Sequence, residues 1–101
     1  MATKITFIIN NPADPSAFEP TYERAVELAA QLPGLQRLES AKVWPKEDQT
    51  PTPAYRTLDL YFETYENASA AVTVPAAGEL FHELVSSGTP FMPLFSDIEE
   101  R

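Results

Sequence analysis

Cysteine is absent from this chain, glycine occurs only three times and histidine once, and seven Lys and Arg face fifteen Asp and Glu. Without cysteine there is no disulfide framework, no thiolate metal site and no cysteine nucleophile. Three glycines cannot build a Gly-rich phosphate loop, so nucleotide cofactors are not supported. A lone His82 makes no His-cluster metal site, and no Gly-x-Ser-x-Gly elbow offers a serine nucleophile. The formal charge of -8 opposes attraction to nucleic-acid phosphates and anionic lipid. No apolar run approaches the ~20 residues that cross a bilayer. The run Ile5 to Ile9 is too brief for a signal-peptide core and lacks a small-residue cleavage site. The expectation is a soluble, cytoplasmic protein with no cofactor, no metal, no nucleic-acid partner and no membrane partner.

Proline, by contrast, is plentiful, with ten in 101 residues, and 44% of the chain is hydrophobic. A chain of this size buries about 65% of its unfolded surface, enough for one modest core, and residues 1–101 read as a single domain. The prolines then mark element boundaries. Lys4 to Ile9 puts Ile5, Phe7 and Ile9 on one side and Thr6 and Ile8 on the other, which predicts a strand. Asp14-Pro15 suits an N-cap and first turn, and Pro20 is an equally good start, for an amphipathic helix that carries Phe18, Tyr22, Ala25, Ala29 and Leu32. Pro33-Gly34 ends it. Leu35 to Trp44 predicts a second strand, followed by the exposed loop Pro45 to Pro53. Tyr55 to Glu63 is the clearest strand, with Arg56, Leu58, Leu60 and Phe62 alternating with Tyr55, Thr57, Asp59 and Tyr61. A helical turn at Ala68 to Val72 and a helix at Ala76 to Ser86 follow, the latter with Ala77, Leu80, Phe81, Leu84 and Val85 inward. Phe91 to Phe95 closes the chain as a strand whose Pro90 and Pro93 imply an edge or a bulge.

Strand, helix, strand, strand, helix, strand is the ferredoxin-like βαββαβ order of the α+β class: a four-stranded antiparallel sheet with two helices on one face. Its second face is uncovered and is expected to carry Tyr61, Tyr55 and Trp44, which are costly to leave in water. A two-fold homodimer packing sheet on sheet covers both open faces and can enclose a cavity.

Phe18-x-x-x-Tyr22, Leu32-Pro33-Gly34-Leu35, the strand Asp59-Leu60-Tyr61-Phe62-Glu63, the Ala70-Ala71 pair and Pro75 together resemble the EthD family, over about Ile5 to Phe95. The resemblance implies a subunit of the dimeric α/β-barrel superfamily, whose members include monooxygenases, cyclases, isomerases, haem enzymes and proteins without assigned activity. Many EthD-like sequences continue the helix motif as Tyr-x-x-x-His. This chain has Val26 there, or Ala25 if aligned from Pro33-Gly34, so the family's imidazole is missing.

The candidate site follows from these faces. Asp59, mid-strand among aromatics, is the candidate proton acceptor, or else a cross-strand partner of Arg37 or Lys42. Tyr22 is the second candidate catalytic residue, or else core packing with a bonded hydroxyl. Tyr61, Tyr55, Trp44 and Thr6 are the expected ligand-lining residues, and His82 is turned away from its helix's apolar stripe. The ligand implied is a small apolar or aromatic molecule, bound for cofactor-independent oxidation or cyclisation. The alternatives are non-catalytic binding, or a dimer that is itself the functional object.

Overall fold

The computed structural model describes residues 2–100. Seven elements occur in the order β1 (Thr3–Ile9), α1 (Pro15–Ala29), β2 (Arg37–Lys42), β3 (Arg56–Phe62), α2 (Tyr65–Ala71), α3 (Pro75–Ser86) and β4 (Phe91–Asp97). Of the two possible helix starts, α1 uses the first. The Asp14 carboxylate accepts the Ala17 N–H at 3.3 Å and Pro15 opens the helix, leaving Pro20 inside it on the exposed side. Gly34 turns the chain out after α1 with φ +78, a conformation that strains a side-chain-bearing residue.

The second helical region is two helices, the first of which starts at Tyr65, three residues before the expected turn. Thr64 caps α2 by accepting the Asn67 N–H at 3.1 Å, and Pro75, which cannot continue a helix from its N-terminal side, starts α3. β2 is shorter than Leu35 to Trp44, although backbone bonds from Gln36 to Tyr61 and from Val43 to Tyr55 extend the pairing by one residue at each end.

The strands lie in the order β2-β3-β1-β4, all neighbours antiparallel. β4 is an edge strand, as its prolines require: Pro93 stands opposite Phe7 and has no N–H to leave unpaired. Alternation assigns every strand residue to a face. Ile5, Phe7, Ile9, Leu58, Leu60 and Phe62 are completely or almost completely buried against Tyr22, Ala25 and Leu28 of α1, Ala68 and Ala71 of α2, and Leu80 and Leu84 of α3. Phe7, Phe81 and Phe91 pack as an aromatic triangle, with ring centroids 5.6–6.2 Å apart. Val85, expected inward, is exposed on the outer side of α3.

The three helices share one face, so the body is a two-layer slab of 39 × 35 × 16 Å. Its accessible surface, 6314 Å², exceeds the roughly 5,700 Å² expected for a compact chain of this mass. Among the described residues no helix is long and apolar enough to cross a membrane.

Candidate functional site

Three rows of side chains cross the uncovered face of the sheet. Arg37, Tyr61, Lys4 and Ser96 form the first, Glu39, Asp59, Thr6 and Leu94 the second, and Ala41, Thr57, Ile8 and Met92 the third. The polar end is internally paired. Thr6 donates its hydroxyl to Asp59 Oδ1 at 2.5 Å, and Lys4 Nζ stands 3.8 Å from the same oxygen. Tyr61 donates to Glu39 Oε1 at 2.6 Å, while Arg37 lies 3.3 Å from Glu39 Oε2 and 4.3 Å over the Tyr61 ring. Asp59 therefore takes its partners from β1, not from Arg37 or Lys42. Toward β4 the face becomes apolar, with Met92 56% and Leu94 40% exposed. Beyond the third row it runs into a hollow of about 310 Å³ lined by Ile8, Asn10, Pro53, Pro90, Phe91 and Met92.

The residues expected to share one site are divided between the two faces. Asp59, Tyr61 and Thr6 lie together on the open face. Tyr22 lies on the other side, 1% exposed beneath α1, with its hydroxyl and the Ser40 hydroxyl 2.5 Å apart. Burial raises the Tyr22 pKa above its ordinary 10.0, against the opposing pull of the Ser40 hydrogen bond and the Arg56 charge. Tyr22 and Asp59 thus cannot reach the same substrate atom.

Tyr55 also departs from the expected open-face position. It precedes the first ladder residue of β3, where alternation no longer holds, and its ring packs edge-on against Phe18 of α1 at 6.1 Å. Trp44, just past β2, is 87% exposed and lines none of the open-face rows. His82 is exposed beside Ser86, and Val26, at the place of the family's imidazole, is half-buried against the core.

A second polar group lies under α1. The Arg56 guanidinium sits 4.6 Å over the Tyr22 ring and 5.7 Å from Tyr55, and it donates to Glu19. Burial works against the Arg56 charge, but the bond to Glu19 more than compensates and its pKa is raised. Arg56 Nε and Glu19 Oε2 are buried without a hydrogen-bond partner. The signal for this cluster was present in the chain: Arg56 is the one charged residue in the β3 alternation Arg56, Leu58, Leu60, Phe62, and a cation on such a face needs a counter-ion. Among the described residues no three His, Asp or Glu side chains gather as a metal site would need.

No protein-family model matches the chain. A curated relative does, an uncharacterised 11.0 kDa protein in the thcB-thcC intergenic region of Rhodococcus erythropolis, 36% identical over 73 residues that cover 71% of this chain and 70% of that one. The chain belongs to the family of that protein. Solved structures extend the likeness at the level of fold. An ethyl tert-butyl ether D (EthD) family protein from Bacillus halodurans superposes with a TM-score of 0.87 at 15% identity, covering 98% of this chain and 100% of that one. SnoaB, a cofactor-independent oxygenase from Streptomyces nogalater, gives 0.75 at 12% identity over 99% of this chain and 95% of its own. A dimeric ferredoxin-like protein of unknown function from Jannaschia sp. CCS1 gives 0.71 at 17%, covering 97% of this chain and 100% of that one. The fold of the chain is thus EthD-like and ferredoxin-like, as the resemblance implied.

Proposed function

We propose that the protein works in the cytoplasm as a homodimer whose two open sheet faces close a barrel, and that the barrel holds a small apolar or aromatic molecule. One observation carries this reading: the open face is apolar at Ile8, Met92 and Leu94, opens into the 310 Å³ hollow, and has its charges already paired at the other end. Paired charges lower the cost of removing the face from water, and the apolar third row supplies the gain. An isologous contact fits a face that covers one whole side of a thin slab, and the Jannaschia structure of the same fold is described as dimeric.

In this reading the ring lies along Ile8 and Met92, next to the row that holds Thr6 and Asp59. The enzymatic form is cyclisation, or oxidation by molecular oxygen without a cofactor, and SnoaB of the same fold is a cofactor-independent oxygenase. Asp59 is then the group that accepts a substrate proton, with Thr6 and Lys4 holding the carboxylate in place. Tyr22 contributes only by packing behind β3. Val26 in place of an imidazole favours a second reading, binding without turnover.

Sedimentation equilibrium at micromolar concentration is the first test, and a stable monomer there overturns the proposal. Titration with quinones and polyketide-like aromatics, with product analysis, separates binding from catalysis. Asp59→Asn is expected to abolish turnover; unchanged affinity and turnover make Asp59 structural.

A further inference from the structure

Of the Lys and Arg side chains among the described residues, Lys4, Arg24, Arg37 and Arg56 each lie within 4 Å of a carboxylate. Lys42 and Lys46 do not. In a chain of net charge -8 a cation without a carboxylate is unexpected, and these two flank the same place. Lys42 lines a cleft of about 350 Å³ between the end of β2 and the proline-rich loop, and Lys46 follows Pro45, another lining residue. The volume lies in the ~300–1,000 Å³ range of small-molecule sites.

The walls are of two kinds. Val43, Pro45, Pro51 and Ala54 supply apolar surface, and the Tyr55 ring, braced by Phe18, supplies a flat one, with Lys42 Nζ 5.7 Å from its centroid. The loop that forms the outer wall is tied down. Asn11 Nδ2 donates to the Thr52 carbonyl at 2.7 Å and the Thr52 hydroxyl donates to the Ala54 carbonyl at 2.5 Å. Asp48 Oδ1 accepts from the Thr50 N–H and hydroxyl, at 3.1 and 2.6 Å, within the loop. Arg56 is committed to Glu19 and the tyrosine rings, so among the lining residues Lys42 is the cation left for a ligand.

We propose that this cleft binds a small aromatic carboxylate, its ring against Tyr55 and the prolines and its carboxylate on Lys42. A charge-assisted bond to an ammonium that has no competing carboxylate accounts for the anion, and the flat, apolar walls account for the ring. The anchored loop means little ordering is needed on binding. The lining of the cleft comes from one chain, and none of its residues belongs to the three open-face rows.

The test is a ¹⁵N-resolved NMR titration of the whole chain with benzoate, and with benzamide as the neutral match in shape. Benzoate is expected to saturate with Kd of about 1 mM or below, moving the amides of Lys42, Val43, Gln49, Thr50 and Thr52, and to bind about tenfold tighter than benzamide. Lys42→Met is expected to erase that preference, Lys42→Arg to retain it, and Tyr55→Leu to weaken both ligands. Equal affinity for the two ligands in the wild type, an unchanged preference in Lys42→Met, or no saturable shift overturns the proposal. Shifts centred on Ile8, Thr6 and Met92 also overturn it, while supporting the barrel site. A dimer in sedimentation with no benzoate shift removes this site and leaves the barrel reading standing.

Discussion

The two faces of the sheet are built from alternate residues of the same strands, yet they solve different problems. On the helix-covered face, Ile5, Phe7, Leu58, Leu60 and Phe62 are sealed under three helices, and the charge admitted there, Arg56, has the carboxylate of Glu19 beside it. On the open face, Lys4, Asp59, Glu39 and Arg37 are paired laterally along the sheet, with Ile8, Leu94 and Met92 left without a covering layer. The first face is finished within one chain. The second has its charges paired and its apolar groups uncovered, a state in which meeting another surface is favourable.

The contrast can be broken most strongly at its centre. Leu60→Ala is expected to cost about 2–5 kcal/mol, because a fully buried methyl cluster leaves a cavity, and urea unfolding reads it directly. Leu94→Lys, on the other face of the sheet, is expected to change the stability of the isolated subunit by under ~0.5 kcal/mol while weakening the dimer at least about 100-fold in sedimentation. If Leu94→Lys neither dissociates a dimer nor differs from wild type in any association assay, the two faces are not as different as proposed.

Arg56→Met tests the charged exception on the covered face. It leaves the Glu19 carboxylate without its cation, and since that side chain is 35% exposed the expected cost is about 1–3 kcal/mol rather than the full penalty of a buried pair. Glu19→Gln with Arg56→Met should recover at least half of the loss. The smallest effect is at Tyr22→Phe, about 1 kcal/mol at neutral pH for the hydrogen bond to Ser40. It has a pH signature. Burial raises the Tyr22 pKa above 10.0, so below that pH both folded and unfolded chains keep the proton. Above it the unfolded phenol ionises first and stability falls as pH rises. Tyr22→Phe should make the alkaline fall shallower, and an identical slope in wild type and variant would mean that Tyr22 is not the group responsible.

Much of the fold was legible because the strands alternate with period two. Leu58, Leu60 and Phe62 mark one apolar face of β3, and Pro93 limits β4 to an edge or a bulge, of which the structure takes the edge. The break between α2 and α3 was marked by Pro75. Tyr55 leaves the expected face because the chain bends at that residue, just before β3, although its backbone still bonds to Ile9 and Val43. Val85 was misplaced because two residues adjacent on a helix are about 100° apart, and α3 packs with Leu84, not Val85, inward. The site was less legible than the fold. Asp59 and Tyr22 were each recognisable as unusual, but only the packing of α1 on one face puts them on opposite sides of the sheet.

The opening absences keep their force. With no cysteine, three glycines and one histidine, the residue types themselves leave no thiolate chemistry, phosphate loop or histidine cluster, since these require particular side chains wherever the chain places them. Element order and the identity of the buried strand face also follow from local pattern, because period and punctuation are properties of neighbouring residues. Which groups meet is a different matter. The pairing of Asp59 with Thr6 and Lys4, of Arg56 with Glu19, and the isolation of Lys42 beside Tyr55 all join residues far apart in the chain. Only strand register and helix packing bring them to hydrogen-bond or ring-contact distance, and so only the tertiary structure could decide them.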